Sequence, residues 1–134
     1  MKNKFFLFTC SLLFTIHSQV ASQWIMSLTV IPANPSTADT ITILASCNFP
    51  SAGCNQYTQT LSIAGTDIYA SALHCLGPMT VICPYTDTII INPLPAGNYT
   101  FHFQVDAGFG SVPCTPGIIP GPNDSVTFIV SPAV

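Results

Sequence analysis

Residues 92–106, NPLPAGNYTFHFQVD, decide the fold. Apolar and polar residues alternate through its second half, with Tyr99, Phe101, Phe103 and Val105 on one face and Thr100, His102, Gln104 and Asp106 on the other. A period of two residues is the pattern of a β-strand that has one buried face and one exposed face. The stretch therefore predicts a strand that begins directly after a turn and lies on a hydrophobic core.

The turn in this stretch carries a more specific signal. Leu94, Gly97 and Tyr99 resemble the tyrosine corner of immunoglobulin-like and fibronectin type III-like domains, in which the phenol bonds back to the backbone of the turn. The resemblance implies an all-β fold, an antiparallel seven-stranded immunoglobulin-like sandwich. Antibody domains also have an inter-sheet disulfide, but Phe101 occupies the position of its strand-F cysteine, and the sole tryptophan, Trp24, lies on the first predicted strand.

The N-terminus has the pattern of a signal peptide of bacterial type. Lys2 and Lys4 precede an apolar run over residues 5–16, which is too short to span a bilayer. Small residues before Gln23 predict cleavage after Ser22. We therefore expect a signal peptide at residues 1–22 and one domain at residues 23–134, secreted or associated with the cell surface, with the periplasm as a further compartment.

The charge of the expected mature chain is unusual. The two basic residues of the full sequence both lie in the signal peptide, and the sequence contains no glutamate. Five aspartates therefore give the mature chain a charge of −5. Phosphate contacts require lysine or arginine, which excludes nucleic acid and anionic membrane surfaces as partners. We also expect no membrane insertion of the mature form.

The remaining segments complete an all-β pattern. Alternation and turn residues predict seven strands, at residues 24–31, 40–47, 60–64, 67–73, 85–91, 99–106 and 125–130. Loops at 49–57, 74–84 and 107–123 separate them. When the strand directions are traced through an immunoglobulin-like sandwich, these three loops emerge at the same end.

Five cysteines fall at this end: Cys47, Cys54, Cys75, Cys83 and Cys114. In an exported protein, the expected chemistry is disulfide formation. We expect Cys75–Cys83, which closes a short loop, and Cys54–Cys114, with Cys47–Cys54 as an open alternative to the second pair. Cys47 would then remain a buried free thiol.

The same cysteines together with His74 could instead bind zinc or cuprous copper. No CxxC or HxxxH spacing supports this alternative, so we predict no metal and no cofactor.

The sequence offers little for catalysis, and no catalytic residue is predicted. His102 is on the solvent face of its strand, no GxSxG motif is present, and the aspartates are scattered. The sequons at Asn98 and Asn123 are chance matches under a bacterial signal peptide.

Long loops on a rigid scaffold favour a non-enzymatic binding or adhesion module. The predicted contact residues at the loop end are Phe49, Tyr57, His74, Met79 and Phe109. The partner is an unidentified protein or glycan. The alternative is a self-assembling structural subunit of an extracellular layer or fibre, because strand edges without lysine are poorly protected against pairing. A homo-oligomer is compatible with either function.

Overall fold

The structure is a computed structural model that describes residues 24–117 and 121–134, so the predicted signal peptide lies outside the described residues. These residues form seven strands: β1 (Ile25–Ile31), β2 (Ile41–Phe49), β3 (Asn55–Ala64), β4 (Asp67–Leu76), β5 (Cys83–Ile91), β6 (Gly97–Phe109) and β7 (Asn123–Val130). The prediction of an all-β chain with seven strands is confirmed. A search of the described residues for a helix long and apolar enough to cross a membrane finds none.

The strands form two sheets, a three-stranded sheet in the order β1-β2-β5 and a four-stranded sheet in the order β3-β4-β6-β7. Neighbouring strands are antiparallel except β4 and β6, which are parallel from Asp67↔Thr100 to Leu76↔Phe109. The expectation of wholly antiparallel pairing is therefore wrong at this one place.

The parallel pair follows from the placement of the β3–β4 hairpin in the sheet. On β4, Ile68, Ala70 and Ala72 are buried, whereas nearly every residue of β3 is exposed. A strand inside the sheet must cover core on one face, so β4 occupies the inner position and β3 the edge. Because the two strands of a hairpin run in opposite directions, placing β4 next to β6 makes that pair parallel.

Both sheets contribute to one hydrophobic core. The three-stranded sheet supplies Ile41, Ile43 and Ile89, and the four-stranded sheet supplies Phe101 and Phe103, all with 0% exposure. Alternation along β2 and β6 is nearly complete, with every second residue buried. The period of two that was read in residues 99–105 is thus the pattern that fills the core.

The tyrosine corner is present as predicted. The Tyr99 hydroxyl donates to the backbone oxygen of Pro95 at 2.7 Å, and Leu94 is buried beside it. The ring of Tyr99 stacks on Phe128 of β7, with 5.7 Å between ring centroids. This hydrogen bond fixes the turn that connects β5 of one sheet to β6 of the other.

Strand directions bring residues 50–54, 77–82, 110–117 and 121–122 to one end of the molecule, which we call the cysteine pole. The β3–β4 turn at Gly65 and the corner before Tyr99 lie at the opposite end. The predicted clustering of the three long loops is therefore confirmed.

Candidate functional site

Two disulfides hold the cysteine pole, Cys54–Cys83 and Cys75–Cys114. The four cysteines are those expected to be bridged, but the expected pairs, Cys75–Cys83 and Cys54–Cys114, are wrong. The cause is the inner position of β4. Cys75 lies beside Gly108 of β6 and is thereby brought to the β6–β7 loop that carries Cys114. Cys54 precedes the edge strand β3, on the side of the molecule where β5 begins at Cys83.

Among the cysteines that the structure describes, Cys47 is the free one and is buried, as predicted, so the alternative pair Cys47–Cys54 is also excluded. Burial and, to a smaller extent, the charge of Asp87 together raise the pKa of the Cys47 thiol to about 12. A thiol with such a pKa carries almost no thiolate at neutral pH and behaves as a small apolar side chain.

Backbone hydrogen bonds join the loops of the pole to one another. The amide of Ala52 donates to Met79 O at 2.8 Å, and the amide of Gly77 donates to Ala52 O at 2.9 Å. The amide of Gly110 donates to Leu76 O at 3.0 Å. A side chain at Gly77 would place its Cβ 2.6 Å from Ala52 O, so glycine is required where the first two loops touch. Together with the disulfides, these bonds link the three loops to one another.

The loops of the cysteine pole expose several large apolar side chains. Met79, Ile82 and Phe109 are exposed by 64%, 71% and 77%, and Val81 and Val112 are also exposed. We call these five side chains the apolar loop patch. Met79 and Phe109 were predicted contact residues, whereas Val81, Ile82 and Val112 were missed. Their signal in the sequence was the occurrence of large apolar residues in loops, where turn residues are expected.

A cleft of about 310 Å³ opens among the loops, lined in part by Asn55, Pro78 and Val112.

Tyr57, the third exposed residue among the predicted contact residues, lies on β3 and is 42% exposed.

A buried histidine–aspartate pair lies beneath the loops. His74 and Asp87 both have 0% exposure, and His74 Nε2 lies 2.8 Å from Asp87 Oδ2 and 3.0 Å from Oδ1. His74 Nδ1 lies 2.7 Å from the backbone oxygen of Cys54. A carbonyl oxygen only accepts, so Nδ1 donates, and a proton is shared between Nε2 and the carboxylate. The pair thus connects β4, β5 and the segment before β3.

Aromatic rings close the space around this pair. The His74 ring lies 4.3 Å from Phe49 and makes an edge contact with Tyr85 at 4.8 Å, measured between ring centroids. Phe49, the last residue of β2, is 1% exposed. The expectation that Phe49 and His74 contact a ligand is therefore wrong, because both side chains lie on the inward faces of their strands.

Asp87 was not identified from the sequence as a site residue. It follows Tyr85 and precedes Ile89 on the inward face of β5, where every second residue is partly or fully buried. A carboxylate at a strand position where apolar residues are expected requires a buried hydrogen-bond partner. This requirement could have identified Asp87 from the sequence.

The alternative metal site built from five cysteines and His74 is contradicted by the disulfides, which engage Cys54, Cys75, Cys83 and Cys114. In the part of the chain that the structure describes, no group of three potential ligand side chains is close enough to hold a metal ion.

A second histidine–aspartate pair lies far from the loops, on the outer face of the four-stranded sheet. His102 Nε2 lies 3.0 Å from Asp67 Oδ1, and the two side chains are 38% and 48% exposed. The ring of Tyr69 stacks on His102 at 4.7 Å, with 11° between the ring planes.

Comparisons of this chain with protein-family models, with curated proteins and with solved structures find no match.

Proposed function

We propose that this protein is a secreted or cell-surface binding module, an immunoglobulin-like β-sandwich without enzymatic activity, that contacts a partner protein through the cysteine pole. The observation that carries the proposal is the apolar loop patch, in which Ile82 and Phe109 are more than two-thirds exposed. Clusters of exposed large apolar side chains are typical of interaction sites.

The rigidity of the pole supports this function. Cys54–Cys83 fixes the start of β3 to the start of β5, and Cys75–Cys114 fixes the β6–β7 loop to the end of β4. A surface that is ordered before binding loses less conformational entropy on association, so a larger part of the contact energy contributes to affinity.

The chemistry of the loops favours protein over glycan. The described residues 50–54, 77–82, 110–117 and 121–122 include no charged residue, and their exposed large side chains, Met79, Val81, Ile82 and Val112, are apolar. Such a patch complements an apolar patch on another protein, since the centres of protein interfaces are depleted in charge.

The positions of the reactive side chains support a non-enzymatic role. Cys47 and His74 are buried at 0% exposure, which keeps both from a substrate. The exposed histidine, His102, is engaged by Asp67 and covered on one ring face by Tyr69.

Two disulfides support export, because such bonds persist in oxidising compartments. Intact-mass analysis of the exported protein tests this point. We expect the mass of residues 23–134 less four hydrogens, with one alkylatable thiol after unfolding and four more after reduction. A mass that includes residues 1–22 would contradict the maturation site.

The binding function is tested on arrays of extracellular proteins and of glycans probed with the mature chain. The test variant Ile82→Ser/Phe109→Ser removes two exposed apolar side chains at the pole. The matched control Ile90→Ser/Ile129→Ser removes two that are 52% and 63% exposed near the opposite end.

We expect protein ligands that the control retains and that the loop variant loses by about tenfold or more, the effect of truncating anchor residues. Binding that both variants retain equally, binding to glycans alone, or no binding at all would overturn the proposal.

A further inference from the structure

The outer edge of β3 is a second interaction surface, separate from the cysteine pole. In the described ranges 24–117 and 121–134, no strand pairs with the side of β3 that faces away from β4. The ten residues Asn55–Ala64 include no proline and no charged side chain, and all except Gln56 are exposed. A long, uncharged strand edge is a template for pairing with another chain.

The hairpin turn determines which backbone groups of β3 are free. Gly65 has φ 64° and Thr66 does not have a positive φ, which fits a two-residue turn of type II′ with glycine in its first position. In such a hairpin the flanking residues Ala64 and Asp67 form a hydrogen-bonded pair. Along β3, residues that are hydrogen-bonded to β4 then alternate with residues that are not. Gln59, Leu61 and Ile63 are of the second kind, so they direct their N–H and C=O groups to the free edge.

The same residues direct their side chains towards the core face of the sheet, because their β4 partners on that face are buried. The three-stranded sheet covers them only in part, and Leu61 and Ile63 remain 41% and 49% exposed. Gln59 alone reaches across to β5, where its Nε2 donates to Thr88 O at 3.4 Å. The free edge therefore combines unpaired backbone groups with uncovered apolar side chains.

The other edges carry features that obstruct pairing. The end of β7 is crossed by the chain before β2, with Thr37 N donating to Ser131 O and Ser131 N to Pro35 O. Pro32 follows directly on β1, and Pro84 lies at the start of β5. Proline limits strand addition because it lacks an amide hydrogen. These obstructions leave β3 as the most accessible edge.

We propose that β3 pairs antiparallel with β3 of a second copy of this chain, about a two-fold axis at Leu61. In this register Leu61 faces Leu61 of the second copy, and Gln59 faces Ile63 of the second copy. All three residues with free backbone groups then form hydrogen-bonded pairs, each of which exchanges two hydrogen bonds. A second copy is the partner that fits, since one symmetric register satisfies every free group on both sides.

The geometry of this dimer has consequences for function. A two-fold contact uses the same surface on both subunits and closes, so pairing through β3 stops at the dimer and gives no fibre. Because the two β3 strands run in opposite directions, the cysteine poles point to opposite ends of the dimer. The contact consists of one strand edge from each subunit, which is small for a protein interface. We therefore expect a weak dimer that dissociates reversibly on dilution.

Sedimentation equilibrium of the mature chain over a wide concentration range tests the proposal, with charge-swap variants at the axis. Leu61→Lys and Leu61→Asp each place two like charges opposite one another, so we expect each variant to be monomeric. An equimolar mixture of the two places opposite charges across the axis and is expected to recover dimer. Thr29→Lys on β1 is the control for an added charge, and it dimerises like the unmodified chain. Near-ultraviolet circular dichroism verifies that every variant is folded.

Dimer in the unmodified chain and in Thr29→Lys, its loss in the single Leu61 variants and its recovery in their mixture support the pairing. An unmodified chain that stays monomeric at millimolar concentration overturns it. A dimer that persists in Leu61→Lys, a mixture that stays monomeric, or higher polymers place the association elsewhere and also overturn it. These results are independent of ligand binding at the cysteine pole.

Discussion

The molecule contains the same residue pair in two surroundings. His74–Asp87 and His102–Asp67 have similar shortest N···O distances, 2.8 Å and 3.0 Å, but the first pair has 0% side-chain exposure and the second 38% and 48%. The buried pair is packed between Phe49 and Tyr85, whereas the exposed pair lies against Tyr69 with solvent on its other side.

The difference shows that burial, and not distance, determines what each pair contributes. In water, an aspartate that loses its partner is solvated again, so the loss of stability is small. In the core no solvent replaces the partner, and a polar atom left without a hydrogen bond carries its full desolvation cost. The buried pair is therefore expected to hold the base of the cysteine pole, and the exposed pair to be nearly neutral for stability.

Removal of the buried carboxylate is the largest test of this comparison. In Asp87→Ala, His74 Nε2 loses its partner in a site with 0% exposure. We expect the free energy of unfolding to fall by about 3–5 kcal/mol, measured by urea denaturation with the fluorescence of the sole tryptophan, Trp24.

Asp87→Asn separates hydrogen bonding from charge. The amide keeps the shape of the carboxylate and can donate to Nε2 of a neutral His74, whose Nδ1 still donates to Cys54 O. We therefore expect a much smaller loss than for Asp87→Ala. Equal losses in the two variants would show that the charge of the pair is essential, and a loss under about 1 kcal/mol in both would contradict a structural role.

The disulfides test how the buried pair is coupled to the loops. They join residues 29 and 39 positions apart, and the chain-entropy model gives a contribution of about 3.5–4 kcal/mol for bridges of this length. The backbone oxygen of Cys54 accepts from the His74 ring, while Cys75–Cys114 contacts only the backbone of His74, with Cys114 Sγ 3.9 Å from His74 O. When Asp87→Ala is combined with Cys54→Ala/Cys83→Ala, we expect the losses in the free energy of unfolding to be non-additive. When Asp87→Ala is combined with Cys75→Ala/Cys114→Ala, we expect the losses to be closer to additive.

Unfolding measurements on the two triple variants and their parents give these coupling energies. A coupling of about 0.5 kcal/mol or more for the Cys54–Cys83 pair alone is the expected result. Equal coupling for both disulfides would indicate that the pole responds as one unit, without a special connection through Cys54.

Sequence patterns predicted the strands well and the pairing of cysteines poorly, and one physical cause explains both results. Alternation in residues 99–105 specifies a buried face whatever strand lies beside it. Alternation does not specify which strand of the β3–β4 hairpin lies next to β6. The inward face of β3 carries Leu61 and Ile63 opposite Ala70 and Ile68 of β4, so the apolar patterns of the two strands are alike and do not decide between them.

The candidate site, like the fold, could be predicted only in part from the sequence. The common end of the loops and the free Cys47 followed from strand direction and from an odd number of cysteines. Burial of Phe49 and His74 was not recognised, because β2 and β4 extend two and three residues beyond the predicted strand ends at 47 and 73. Both residues were therefore assigned to loops although they continue the inward alternation.

The raised pKa of Cys47 gives the buried region a second signature. The thiol has an ordinary pKa near 9 when unfolded and about 12 in the fold. Its protonated state thus favours the fold fully below pH 9, and this contribution is lost as pH rises towards 12 because the unfolded chain alone releases the proton. We expect the free energy of unfolding to fall by about 1.4 kcal/mol per pH unit in this window.

Urea unfolding of the unmodified chain and of Cys47→Ala at about pH 8 and about pH 10 measures this slope, and the difference between the two proteins removes the titration of other groups. A slope that is the same in both proteins would show that Cys47 is solvated and ionises in the folded state.

The smallest expected effect is at the exposed pair. Asp67→Ala removes the partner of a histidine that is 38% exposed, and water replaces the lost hydrogen bond. We expect a loss of about 0.2–1 kcal/mol that shrinks further in high salt, because exposed ion pairs are screened. Measured beside Asp87→Ala by the same urea titration, this variant isolates burial as the variable, since residue types are the same and the distances similar. A loss at Asp67 as large as that at Asp87 would mean that the stack of Tyr69 on His102 excludes solvent as effectively as the core does.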